Sequence, residues 1–157
     1  MTSSGRDRIR MTGTEVEHFL AGARKVQVAT IGVDGAPHLT TLFYVLRDGH
    51  ITFWTYGRSQ KIANLRRDPR ISCLVEDGED YFDLRGVSIR GRAELVTDEA
   101  RVREIGTAVA TRMVDGADLG ELGRDEVERQ VPKRVGVVVV PEHTASWDHR
   151  KLLAGHA

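Results

Sequence analysis

Apolar residues recur along this chain with two different periods, and the switches between them mark out its elements. From Thr14 the spacing is helical. Val16, Phe19, Leu20 and Ala23 share one face, and Thr14 with Glu17 has capping-box spacing, which predicts a helix over 14–23. Alternation takes over at Val26, Val28 and Thr30, and Asp34-Gly35 reads as a tight hairpin turn. Pro37 suits a strand start or an edge. Residues 38–47 then read as one β-rich segment, closed by a second turn signal at Asp48-Gly49, and a third strand over 50–56 carries Ile51, Phe53 and Trp54. Connections this short join antiparallel neighbours, so these strands form a meander.

The helical period returns after Ser59. Ile62, Ala63 and Leu65 are followed by Arg66 and Arg67 in the last turn and by Pro69 just beyond, each a helix-end signal. Strands are predicted over 70–76 and 82–96, with Gly86 and Gly91 marking bends or bulges in the second. Asp98 caps a helix over 99–112 that carries Val102, Ile105, Val109 and Met113 on one face. A shorter helix over 124–130 and a buried strand over 133–141, through Val135 and Val137 to Val140, complete the pattern. The sum is a mainly β, α+β domain: a six-stranded antiparallel barrel, closed or nearly so, which leaves few exposed edges. Residues 1–12, dominated by Ser, Gly and Arg, are expected to be loosely attached, with one domain over 13–157.

At 157 residues the chain can bury a sizeable core, and 40% hydrophobic with 29% charged residues is an ordinary globular composition. Lys plus Arg and Asp plus Glu both total 23, a balance that gives no support for a nucleic-acid partner. The single cysteine, Cys73, sits in an apolar run and reads as a buried strand residue. Residues 1–11 lack the apolar core of a secretory signal, and no apolar run approaches the roughly 18 residues of a membrane span. A cytoplasmic protein with no membrane partner is the expectation. His38, His50, His143 and His149 show no ligand spacing, so no metal is expected.

Gly57-Arg58-Ser59-Gln60-Lys61 is the most informative stretch. It follows an aromatic strand and opens a helix, whose first N–H groups lack partners and face whatever lies before them. A hydroxyl at Ser59 and cations at Arg58 and Lys61 would hold a phosphate there. The same residues also suit a plain capped surface helix. On the preceding strand Thr52, Trp54 and Tyr56 share one face, with Phe53 and Thr55 on the other. A planar ring could pack there while its phosphate reached the helix, although aromatic strand residues are equally at home in a core.

The segment from Ile51 through Lys61 to Leu65 and on to Arg70 resembles the flavin and deazaflavin oxidoreductases of the pyridoxamine 5′-phosphate oxidase-like superfamily. So do Asp34-Gly35-Ala36-Pro37-His38 upstream and Arg85-Gly86 through Gly91-Arg92-Ala93-Glu94 downstream. The resemblance implies a split β-barrel homodimer with two cofactor sites at the subunit interface. It places Ser59, Gln60 and Lys61 at the phosphate, and Trp54 and Thr55 on the strand beside the ring system. Leu39, Thr40, Thr41 and Tyr44 fall on the strand against which the ring lies, with Thr40, Thr41 and Thr55 bonding its edge. Gly86 comes with the downstream match. Gln60 stands where the true oxidases usually carry Arg, and their C-terminal substrate motif is missing, which argues against pyridoxamine phosphate as substrate. Trp147, in 146–152, is either a cofactor contact across the dimer or an anchor of the tail to the barrel.

The helix end Asn64-Leu65-Arg66-Arg67-Asp68-Pro69 is typical of the branch that uses the deazaflavin coenzyme F420. FMN is the alternative, and a haem-binding relative is more distant. The expected activity is hydride transfer from reduced F420 to a small electrophile, with no catalytic residue or proton donor identified. An FMN enzyme of the same fold, a non-catalytic cofactor-binding protein and a barrel without a cofactor are the competing expectations.

Overall fold

The structure, a computed structural model, describes residues 4–154. Its strands in chain order are β1 (Lys25–Ile31), β2 (Pro37–Phe43), β3 (Val45–Arg47), β4 (His50–Tyr56), β5 (Arg70–Asp77), β6 (Arg85–Val96) and β7 (Arg134–Asp148). They form one antiparallel sheet, β2-β1-β5-β6-β7-β4-β3, curled into a split barrel whose two edge strands are consecutive in sequence.

Seven strands replace the six expected, because 38–47 does not run straight. Tyr44 interrupts it: its N–H donates to the Arg24 carbonyl at 3.0 Å and its ring is fully buried. Phe43 therefore ends a strand paired with β1, and Val45 begins one paired with β4. The turn after β3 follows its sequence signal, since Asp48 (φ 51°) and Gly49 (φ 78°) both take the left-handed conformation that a tight hairpin requires.

Val26, Val28, Phe53, Val75, Val87, Val137 and Val139 fill the barrel. Cys73 lies among them, and burial pushes its thiol up to about 12, so it is a hydrophobe rather than a nucleophile. A second layer covers the outside of β3, β4 and β7. It is built by α4 (Glu99–Met113) and α5 (Gly120–Gln130), whose Val102, Ile105, Val109 and Val127 pack with Trp54 and Val138.

Further differences concern the ends of the chain. Helix α2 (Gly13–Gly22) is capped by Thr12 and Glu15, two positions before the pair that the sequence pattern suggested. The segment expected to be loose contains α1 (Gly5–Ile9), and Met11 beyond it is buried, with its N–H donating to Ser146 Oγ at 3.1 Å. At the other end β7 runs through Pro141 to Asp148 instead of stopping at the proline. A bulge explains this: Arg90 pairs with His143 and Gly91 with Pro141, leaving Glu142 as the extra residue. Proline is tolerated at such a break in the ladder. Gly91 is required there, since a Cβ would lie 2.1 Å from the Val140 carbonyl oxygen. The C-terminal α6 (Lys151–Ala154) follows, and Lys151 Nζ donates to the Arg10 carbonyl at 2.8 Å.

Candidate cofactor site

Helix α3 (Gln60–Arg67) leaves the end of β4 through a turn tied to the start of β7, where Gly57 N–H donates to the Lys133 carbonyl at 2.9 Å. Ser59 caps the helix, its Oγ accepting from Ile62 N–H at 3.4 Å. Ile62 and Leu65 are buried in the barrel core, which explains the apolar spacing there. Asn64 locks the helix laterally. It is fully buried, donates through Nδ2 to Thr30 Oγ1 at 3.0 Å, and accepts at Oδ1 from Gln60 Nε2 at 2.8 Å and from Arg67 at 3.2 Å. An anion at the helix start would meet a rigid frame.

Positive charge gathers at that start. Lys61 is half-buried, and desolvation, with the added charge of Arg134, lowers its pKa. Arg134 opens β7 directly opposite Tyr56. Its guanidinium carbon lies 3.9 Å from the Tyr56 ring centroid and 5.0 Å from that of Trp54, and its Nε donates to Gln130 Oε1 at 3.3 Å. Arg58 is exposed nearby in sequence. Among the described residues, no carboxylate is paired with Arg58, Lys61 or Arg134.

Strand β2 supplies a second set. His38 and Thr40 lie opposite Thr30 and Val28, which face the barrel interior, so they turn inward, while Leu39 and Thr41 turn outward. His38 Nδ1 and Thr40 Oγ1 are buried without a hydrogen-bond partner. Such atoms cost about 1–3 kcal/mol each if left unpaired, and they suit the polar edge of a bound ring. The two sets are linked, because Thr30, opposite His38, is the residue that Asn64 ties to α3.

The remaining predicted residues fall elsewhere. Thr55 is buried on the inner face beside Phe53. Trp54 faces the helical layer, so close to Gly106 that a Cβ there would lie 2.3 Å from its ring. Tyr44 donates its hydroxyl to the Leu20 carbonyl, and burial pushes its pKa up to about 12 against the opposing charge of Arg112. That is a packing role. Gly86 and Trp147 face each other across β6 and β7, with the ring laid over the glycine. Trp147 borders a cleft of about 1290 Å³ under α1 and α2, lined also by Ile9, Val16 and Leu74. One chain thus brings Ser59, Gln60 and Lys61 together and links them to β2, but leaves Trp147 apart.

Arg134 and His38 escaped the sequence reading as site residues. Lys133-Arg134 before a valine run was the visible signal, but only the β4–β7 register puts Arg134 beside Tyr56. No helix among the described residues is long and apolar enough to cross a membrane.

The sequence profile of the family described as pyridoxamine 5′-phosphate oxidase matches residues 12–148. Among solved structures, a conserved hypothetical protein of Mycobacterium tuberculosis, Rv2991, is 43% identical with a TM-score of 0.87, over 96% of this chain and 92% of that one. An F420 reductase aligns with 21% identity and a TM-score of 0.64, covering 82% of this chain and 94% of its own. An FAD-binding protein of Mesorhizobium loti aligns with 19% identity and a TM-score of 0.65, over 87% and 94%. The last two show a shared fold. No protein of curated function matches the sequence significantly.

Proposed function

Starting from a chain that belongs to the pyridoxamine 5′-phosphate oxidase family, we propose an oxidoreductase that binds a flavin-type cofactor, with the deazaflavin F420 as first choice and FMN as the alternative. The observation that carries this reading is the unbalanced positive charge at the start of α3, beside the aromatic end of β4. When bound, the reduced cofactor supplies the hydride. Ser59, Lys61 and the first N–H groups of α3 hold its phosphate, and the rigidity of α3 fixes where the phosphate sits. His38 Nδ1 and Thr40 Oγ1 offer the unsatisfied polar atoms for the ring edge. Leu39 is 67% exposed on the outer side of β2 and Val33, in the preceding turn, is 82% exposed, so this edge suits cover by a second copy of the chain. In such a homodimer the partner's Trp147 would close the site over a small electrophilic substrate.

Parallel titrations with F420, FMN and haemin, read by cofactor fluorescence or absorbance, test the proposal. Micromolar binding of F420 supports the reading, and binding of FMN alone moves the chain to the flavin alternative. Haemin alone, or no binding at all, overturns it. Oxidation of the bound reduced cofactor by quinones, enones or nitroaromatics then separates an enzyme from a carrier.

A further inference from the structure

We infer that Arg134 is a second phosphate-binding cation of this site, reaching it from the start of β7 beside Tyr56. This rests on the cofactor reading above and adds a residue that only the β4–β7 register brings to Tyr56.

Three observations carry it. First, the side chain is held in a defined pose. Tyr56 and Trp54 flank the guanidinium at 3.9 and 5.0 Å, and Gln130 takes its Nε, which leaves the two terminal nitrogens with no acceptor among the described residues. A planar fork with both tips free is the geometry that grips a phosphate through two parallel hydrogen bonds. Second, its neighbour in charge is another cation. Lys61 sits in half-buried surroundings, and the proximity of Arg134 makes its protonated form still harder to keep. Two cations drawn together without a carboxylate lower the stability of the free protein, and a bound anion removes that cost. Third, acidic groups nearby are committed elsewhere: Glu126 is taken by Arg129 and Gln130. Gln60, at the helix start, has its amide engaged by Asn64, so it does not replace the missing anion partner.

An arginine stacked on aromatic rings is also an ordinary way to cover apolar surface. That alternative accounts for the two ring contacts but gives no reason for leaving both terminal nitrogens without an acceptor among the described residues.

The test compares each cofactor with its phosphate-free riboside, using whichever pair the wild type binds (FMN with riboflavin, or F420 with its deazariboflavin). Arg134→Gln should weaken the phosphate-bearing form about ten- to a hundredfold and leave the riboside within about twofold, as expected for losing a charged hydrogen bond. Gln130→Ala, which frees Nε but keeps the charge, should weaken the phosphate-bearing form by about two- to fivefold only, and it serves as the readout if Arg134→Gln does not fold. Equal losses for both forms would make Arg134 a packing residue and overturn the inference, as would unchanged affinity for both. Failure of the wild type to bind any of the four ligands would instead remove the cofactor reading itself.

Discussion

The two ends of the sheet treat charge in opposite ways. Beside Trp147, cations have partners: Arg150 binds Asp148 at 2.7 Å, Lys151 binds Glu15 at 2.6 Å, and Arg85 binds Asp77. Those pairs hold Asp148 and Asp77 below the usual carboxylate range, chiefly through hydrogen bonds from Arg150 and Arg85. Lys151 also ties α6 to the segment before α2 and to α2 itself, through the Arg10 carbonyl and Glu15. At the start of α3 the cations Arg58, Lys61 and Arg134 have no carboxylate among the described residues, although the helix carrying Lys61 is anchored by a buried asparagine. A balanced cluster is complete without a ligand, and an unbalanced one on a rigid frame is poised for an anion. The difference assigns structure to one end and binding to the other.

That contrast can be broken most directly at Lys61. Lys61→Ala should lower affinity for the phosphate-bearing cofactor by roughly thirtyfold, the scale of one charge-assisted hydrogen bond. The free variant should be as stable as the wild type or more so, since a desolvated cation is removed. Loss of stability with unchanged affinity would reverse the assignment.

Asp148→Asn probes the other end and should do the converse. Asp148 is 6% exposed, so loss of its charge costs about 1–2 kcal/mol, discounted because Arg150 is half-exposed. Urea unfolding should show that drop while cofactor affinity stays within about twofold. A large affinity loss here would show that the end carrying Trp147 takes part in binding the cofactor beyond packing.

The smallest effects are pH-dependent: both folded pKa values are lowered, so stability rises with pH at both ends, but the charged form costs stability at Lys61 and supplies it at Asp148. Lys61 has a folded pKa below its ordinary 10.5, so its charged form costs stability at neutral pH. The cost fades as pH rises through the folded value, and anion affinity falls over the same range. Asp148 has a folded pKa below 3.8, so its stabilisation is present above that pH and is lost as pH falls through the folded value. Binding isotherms from pH 7 to about 10 and acid unfolding of wild type against Asp148→Asn check the two limbs.

Much of the fold was legible along the chain because its signals are local. The Asp48-Gly49 turn depends on the backbone freedom of two residues, and the capping of α3 by Ser59 on one hydroxyl. Less was legible where a distant contact overrides a local rule. Pro141 should have ended the last strand, but a bulge opposite Gly91 absorbs it and carries β7 on to Trp147. Tyr44 should have continued a strand, but its buried ring and its bond to Leu20 turn the chain into a seventh. Of the candidate site, the cations of α3 were readable because cap and charge lie within one turn. Arg134 was not, because it meets Tyr56 only through the β4–β7 register.

By itself, then, the sequence determined the periods, the turns, the helix starts and a total charge of zero. Only the tertiary structure decided how that zero is distributed, because pairing depends on distances of a few ångströms between residues far apart in the chain. Twenty-three cations and 23 anions sum to neutrality on paper, yet the fold pairs Arg150 with Asp148 and leaves Lys61 and Arg134 without a carboxylate among the described residues.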